Sequence, residues 1–440
     1  MTPLQQIHQS ETRTLWFPTP PRHAPSQHIV RIALAGCGVV GGALVRLLNE
    51  SAAAVSSRYG VRFVITRVLV RDTLRDRHLP IDPGLFTSDL DSFLASDADV
   101  VIEAVGGEEP ARTIAVSALG RGRKLITANK ELISAHGGIL HQLAATHHTA
   151  LDFGAAVGGS APVVSTLRDL VGSSAPRSVR GILNGTSNFV VSEIERGSTL
   201  DKAVAAARGR GLCESDLARD LDGRDAAAKL SIIAWIAFGI KPAELQVRRL
   251  SLLPGIEALT SLAGLLGGNL RLLAECTRLD GDRIVGSVEP VLLPANNAFA
   301  RTSGEENRVE VDLGWTSPLS VSGPGAGGPP TAAAVLSDLV RFTAPPNDRG
   351  ADARQFVAAA DSRRHRWLIA APIAPIVLSA LATAGRVLGG EAQSHDGLSW
   401  LITRPATWAR ANRVLSALRN LGAEPSVARC EIRDDAEAIQ

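Results

Sequence analysis

Three glycines near the start constrain this chain most. A short apolar run, residues 30–35, is broken only by Arg31 and ends in Gly36-Cys-Gly38-Val-Val-Gly41, after which residues 43–48 read as helix. Glycines so spaced between a strand and a helix permit a tight turn and let a pyrophosphate approach backbone N–H groups at the helix N-terminus. The spacing alone is weak, because the chain has 41 glycines and chance matches are expected. Its context gives it weight. Further strand candidates follow at 63–70, 100–105 and 125–127, with helical patterns between them, the alternation of a parallel, doubly wound sheet.

After about residue 150 the pattern changes. Helices at 200–208 and 225–238 mix with strands at 283–291 and 308–313, as in a separate α+β unit. The cluster Gly323-Pro-Gly325-Ala-Gly327-Gly-Pro-Pro330 leads into a helix at 331–342, which is expected to return to the first domain. A polar, Pro-containing hinge at 344–352 precedes strands at 367–371, 387–393, 398–403 and 426–432 and helices at 376–384 and 406–421. The expected fold is α/β. It comprises a disordered extension (1–29), a Rossmann-type nucleotide-binding domain (30–150) and a substrate-binding and dimerisation domain (151–330). A small C-terminal domain (353–440) of order β-α-β-β-α-β follows, with its own core.

Composition excludes some classes. Lys+Arg 46 against Asp+Glu 44 leaves +2, no nucleic-acid footprint. The 4 cysteines, Cys37, Cys213, Cys276 and Cys430, have no metal-ligand spacing and suit a reducing cytoplasm. Residues 1–29 carry Pro18, Pro20, Pro21 and Pro25 and no apolar core, unlike a signal peptide. Residues 367–385 are uncharged, but Pro372 and Pro375 interrupt them. A strand and a buried helix account for them better than a membrane span.

The stretch 211–229 gathers Glu214, Asp216, Asp220, Asp222 and Asp225 ahead of Lys229, which opens an apolar run. Asp225 and Lys229 stand at i and i+4, on one helix face. Acids at a helix start are favoured by the dipole, so a capped, solvated helix start is one account. A site for a small zwitterion is the other, with carboxylates holding an ammonium group and the lysine delivering a proton to an oxygen. Thr127-Ala-Asn129-Lys130 follows the last strand candidate, at the edge where such sheets bind ligands. At the end of the second strand Arg71 precedes Asp72; a cation there suits the 2′-phosphate of NADP, although a surface arginine would look the same.

Taken in order, these segments resemble homoserine dehydrogenases. The resemblance spans roughly residues 30 to 342. It rests on the Gly36 fingerprint, Val68-Leu-Val-Arg71-Asp72, Thr127-Ala-Asn129-Lys130, Gly181-Ile-Leu-Asn184-Gly185-Thr186-Ser-Asn188, the 214–229 stretch and Gly323-Pro-Gly325-Ala-Gly327. It implies an NADP- or NAD-dependent oxidoreductase interconverting L-aspartate 4-semialdehyde and L-homoserine, on the route to threonine and methionine. A small-molecule substrate and a homodimer or higher homo-oligomer go with it. Lys229 would donate the proton and Lys130 would assist. Glu214, Asp225, Asp220 and Thr186 would hold the substrate. Gly36, Gly38, Val39, Val40, Gly41, Arg71, Lys130, Gly211, Gly325 and Gly327 would contact the cofactor.

The family has a loop matching residues 151–162 that binds sodium in some members through main-chain carbonyls, here Gly154, Val157, Gly159 and Ala161. A glutamate usual at that point is replaced by Gly154. Leu217 and Asn297-Ala298 also depart from the family pattern, without removing a group proposed for the chemistry. The tail resembles an amino-acid-sensing ACT domain in element order only. Two alternatives stay open: a dehydrogenase of the same fold for another amino-aldehyde or amino acid, and a degenerate cofactor-binding regulator.

Overall fold

The computed structural model describes residues 28–159, 161–171, 176–212, 218–253, 255–325, 327–343 and 357–432. The first sheet has six strands: β1 (His28–Ala35), β2 (Val61–Leu69), β3 (Phe86–Thr87), β4 (Val100–Glu103), β5 (Lys124–Thr127) and β6 (Leu151–Asp152). Their order is β3-β2-β1-β4-β5-β6, and every neighbouring pair is parallel. The two short edge strands escape sequence reading because two residues carry no period.

Residues on both faces of β1 are buried, which is why it reads as a continuous apolar run. Val30, Ile32 and Leu34 point to one side, and Ala33 and Ala35 to the other. Arg31 pairs with Asp99, just ahead of β4, at 2.7 Å. The helix Gly328–Thr343 returns from far along the chain to cover the first side with Ala332, Val335 and Leu339. Burying Val335 and Leu339 there contributes about 1.5–3 kcal/mol each. The helices Ala111–Gly120 and Lys130–Thr146 cover the other side with Ile114, Leu132, Ile133 and Leu140.

A second, mixed sheet runs through the rest of the chain. Its strand order is Leu319–Pro324, Glu306–Asp312, Ser178–Ile182, Gly268–Leu279, Arg283–Pro294, Ser426–Cys430, Arg364–Pro372, Leu398–Ile402, Ala392–His395. Ser178–Ile182 matters most for the site, because it runs directly into Leu183-Asn184 and the helix Gly185–Glu195.

The C-terminal piece has the expected order of elements, and its four strands lie 4-1-3-2 in an antiparallel sheet. Three details differ from expectation. The helix Pro375–Leu388 takes in Val387 and Leu388, read from sequence as the start of a strand; the strand is Ala392–His395. The next helix begins at Trp408, because Ala406–Thr407 pairs with Arg364 and His365. Most consequentially, the piece continues the second sheet with its strands. It has a cluster of its own around Trp367, Leu381, Leu401 and Leu415, yet Ser426–Cys430 bonds in parallel to Arg283–Pro294. Arg429, 3% exposed, pairs with Glu289 on that strand and with Glu275 on the strand beyond it, at 2.9 Å each. The expected hinge, residues 344–352, lies outside the described residues. Residues 28–29, assigned from sequence to the disordered extension, open β1.

Residues 367–372 form the end of a buried strand. Among the described residues no helix is long and apolar enough to cross a membrane.

Candidate active site

The residues ahead of Lys130 place it. Thr127 Oγ1 donates to the buried Glu103 at the end of β4 and accepts from Asn129 N at 3.0 Å. Asn129 caps the helix Lys130–Thr146 by accepting from Leu132 N at 3.1 Å, and its amide donates to Gly107 O at 2.6 Å. Burial raises the Glu103 carboxyl above the usual range, against the hydrogen bonds it receives from Thr127 and Val105. Lys130 therefore opens a helix, the end where the dipole disfavours a cation. It is held there by Asp225 Oδ1 at 2.6 Å. Burial works to lower the Lys130 pKa, but Asp225 outweighs it and leaves the pKa raised.

Asp225 lies in the first turn of the helix Arg224–Phe238. Its other oxygen meets Lys229 Nζ at 3.0 Å and accepts from Asn184 Nδ2 at 2.8 Å. Lys229 also donates to Leu183 O at 2.8 Å. An ammonium has three donors, so these contacts leave one N–H for a ligand oxygen. Burial pushes the Asp225 carboxyl up, but Lys229, Lys130 and Asn184 together hold it well below the usual range. Asp220 behaves oppositely. Burial raises its pKa, the hydrogen bond from Asn184 at 2.7 Å resists, and the charge of Asp225 raises it further. Neighbouring carboxyls driven apart in this way commonly take different roles at a site.

Thr186 Oγ1 donates to Leu212 O at 2.7 Å, beside Gly211, which leaves the hydroxyl oxygen as an acceptor. Glu214, Asp216 and Leu217 lie outside the described residues.

At the glycine fingerprint, two positions are dictated by packing. A Cβ on Gly36 (φ +91°) would lie 2.4 Å from Ala104 O, and one on Gly41 would lie 2.0 Å from Gly36 O. Nothing stands within 4 Å of a Cβ on Gly38, which opens the turn to an approaching phosphate. The helix Val39–Tyr59 begins there without a side-chain cap, so its first N–H groups are left to other partners; Val39 is 76% exposed and Val40 half-buried. Arg71 is exposed just past β2. Asp72 accepts from Leu74 N at 2.9 Å and Arg75 N at 3.3 Å, so it braces its own loop.

Gly325 and Gly328 connect these parts. A Cβ on Gly328 would lie 2.8 Å from Val39 O, and one on Gly325 would lie 2.3 Å from Asn307 Oδ1. Asn307 Nδ2 donates at 3.5 Å to Leu183 O, the carbonyl that also takes Lys229. Gly325 and Gly327 thus lie between the fingerprint and the lysine pair.

Gly154 has a steric cause. A Cβ there would lie 2.7 Å from the carboxylate of Asp338, which occupies the space a larger residue would need. Burial and the nearby Asp152 push Asp338 up to about 7, and its Oδ2 is buried with no hydrogen-bond partner. A cavity of about 120 Å³ lined by Gly154, Gly159, Ala161, Asp338 and Arg341 lies beside it. Val157 is fully buried in the same loop. A larger cavity, about 580 Å³ and lined by His141, Phe153, Arg168 and Trp235, holds none of the charged groups around Lys229.

Sequence reasoning missed Asn184, Asn307, Glu103, Asp338 and the Leu183 carbonyl. Only Asn184 had a signal, as a capping-type residue between a strand and a helix.

Two family models match the chain: the homoserine dehydrogenase NAD-binding domain over residues 36–153 and homoserine dehydrogenase over residues 162–340. The homoserine dehydrogenase of Mycobacterium tuberculosis is 37% identical over 317 residues, 71% of this chain and 71% of that protein. The crystal structure of a homoserine dehydrogenase from Thiobacillus denitrificans, 28% identical, superposes with a TM-score of 0.79 over 92% of this chain and 99% of that one. That match extends past residue 340 into the C-terminal piece. A hyperthermophilic archaeal homoserine dehydrogenase in complex with NADPH, 22% identical, shares the fold with a TM-score of 0.60 over 72% of this chain and 98% of its own. This chain belongs to the homoserine dehydrogenase family.

Proposed function

We propose a division of labour among these residues for the family's reaction, the NAD(P)-dependent interconversion of L-aspartate 4-semialdehyde and L-homoserine. One observation carries it: two lysines from different domains converge on a single buried carboxylate, Asp225, at 2.6 and 3.0 Å. The nicotinamide cofactor supplies the hydride to the aldehyde carbon. Negative charge then develops on the aldehyde oxygen, where an ammonium group can stabilise and neutralise it. Lys229 is the proton donor, through the N–H left over from Asp225 and Leu183 O. Lys130 adds positive charge near the same oxygen. Asp225 is engaged by both lysines and Asn184, so its part is to hold them. Asp220, joined to Asn184 and to neither lysine in the described structure, is left with Glu214 to receive the substrate ammonium. Thr186 accepts a further hydrogen bond from substrate.

The cofactor lies along Gly36, Gly38, Val39, Val40 and Gly41, with Gly211, Gly325 and Gly327 toward the nicotinamide. NADPH is the preferred form. Arg71 offers a cation at the end of β2, while Asp72 is turned to its own loop instead of a ribose hydroxyl; the archaeal relative binds NADPH. Arg71→Ala should raise the KM for NADPH and leave that for NADH nearly unchanged, and equal effects on both would refute the preference.

A sodium ion fits the loop of Gly154, Val157, Gly159 and Ala161. Asp338 Oδ2 lies buried and without a hydrogen-bond partner beside the cavity there, and a bound cation would favour its ionised form. The carbonyls would hold the ion and tie the loop to the helix Gly328–Thr343. Sodium NMR line broadening that disappears in Asp338→Asn tests this, and unchanged broadening would refute it. The enzyme is a cytoplasmic homo-oligomer. Leu319–Pro324 ends the second sheet beside the exposed Trp315 and Leu319, and an open strand edge is a template for pairing. Sedimentation of a monomer at assay concentrations would refute it.

A further inference from the structure

We infer that Asn184 is a positioning residue that divides the two aspartates of the site, binding Asp225 to the lysines and presenting Asp220 to the substrate ammonium. The inference rests on the site assignment above and deepens it.

Asn184 is 4% exposed and follows the strand Ser178–Ile182. One amide hydrogen goes to Asp220 Oδ1 at 2.7 Å and the other to Asp225 Oδ2 at 2.8 Å. Its oxygen accepts from Ser187 N at 2.7 Å, capping the helix Gly185–Glu195. The orientation is therefore determined: a flipped amide would set its N–H groups against Ser187 N–H and its oxygen against two carboxylates. Two acids so close would repel each other, and the two amide hydrogens give each a donor in the same plane. Both lysines reach Asp225, and neither pairs with Asp220 in the described structure. The asymmetry of the site thus depends on one side chain that carries no charge. Leu183, the residue before it, holds Lys229 through its carbonyl, so the same turn of chain fixes both lysine and acids.

Helix capping alone would also explain an asparagine here. Two substitutions separate the accounts, because each keeps a capping oxygen. Asn184→Ser is too short to reach both acids. Asn184→Asp keeps the shape and replaces two donors by a third carboxylate beside Asp220, Asp225, Lys130 and Lys229. For Asn184→Ser, kcat/KM for homoserine should fall about 10- to 100-fold, the worth of a hydrogen bond to a charged group. NADPH binding, read by nucleotide fluorescence, should stay within about twofold, since only substrate contacts are altered. Asn184→Asp should be weaker still near neutral pH and regain activity as pH falls, because a protonated carboxyl donates again.

A mere cap predicts otherwise. If Asn184→Ser keeps more than half of kcat/KM, or Asn184→Asp shows the parent pH profile, the positioning role is overturned. Parallel losses of NADPH binding and kcat/KM would also overturn it, as damage to the fold. Should Asn184→Ser not fold, the acid recovery of Asn184→Asp decides. Lys229→Ala serves as the control: full activity in that variant would sink the site assignment itself, whatever Asn184 does.

Discussion

Replacing Asp225 by Asn tests the hub of the site without changing its shape. The carboxylate pairs with Lys130 at 2.6 Å and Lys229 at 3.0 Å. At an effective dielectric constant of about 20, each contact represents about 6 kcal/mol of gross Coulomb energy. Desolvation of the charges offsets most of that, and removing one partner of a buried pair costs about 3–5 kcal/mol net. Domains have roughly 5–15 kcal/mol in all, so the variant should fold and be clearly weakened. The pH dependence follows from the sign of the shift. Burial raises this carboxyl, but the lysines win and its folded pKa is depressed. Its contribution is therefore complete above the unfolded value, about pH 4, and is lost as pH falls below that. Denaturant unfolding of parent and Asp225→Asn should show a constant gap from about pH 5 to 8 that narrows in acid. Turnover should fall about 10²–10⁴-fold, as for loss of a positioned proton donor, since neither ammonium keeps its place. A gap under about 0.5 kcal/mol at neutral pH, the size of an ordinary surface change, would refute the reasoning.

Arg429→Met leaves Glu289, 1% exposed, with one arginine fewer, and should cost about 3–5 kcal/mol in denaturant unfolding. A chain ending before residue 353 should for the same reason be unstable or insoluble; a stable truncated enzyme would show that the shared sheet contributes little. Asp338 is raised to about 7, so its protonated form stabilises below the unfolded pKa, and that stability is lost as pH rises from about 4 to 7. Asp338→Asn mimics the protonated form, and its thermal stability relative to the parent should rise across that window by up to about 3–4 kcal/mol; a flat difference would contradict the shift.

The sequence carried the local parts of this molecule and not the distant ones. The glycine turn is legible because three close positions must meet one backbone geometry, and Asp225 with Lys229 is legible because i and i+4 share a helix face. Asn184 and Asp225 are 41 residues apart, and Lys130 meets Asp225 only because two domains pack together. Nothing local announces such pairs. The tail shows the same limit. Its order of elements follows from short-range patterns, but the pairing of Ser426–Cys430 with Arg283–Pro294 is a long-range fact. Arg429 was legible as a charge and not as a buried one. Val387 and Leu388 were read as strand because β-branched and apolar residues beside Gly389-Gly390 fit either state; packing of Leu388 into the tail core settles them as helix.

The proposed donor of the proton is Lys229. Reduction of L-aspartate 4-semialdehyde, followed by loss of reduced-nicotinamide absorbance, should be measured for the parent, Lys229→Ala and Lys130→Ala, with NADPH affinity measured separately. Lys229→Ala should lose about 10²–10⁴ in turnover with nearly unchanged NADPH affinity, and Lys130→Ala should lose less. If Lys229→Ala keeps more than about a third of the parent rate, far outside that range, and Lys130→Ala does not, the proton comes from the other lysine and the assignment is wrong.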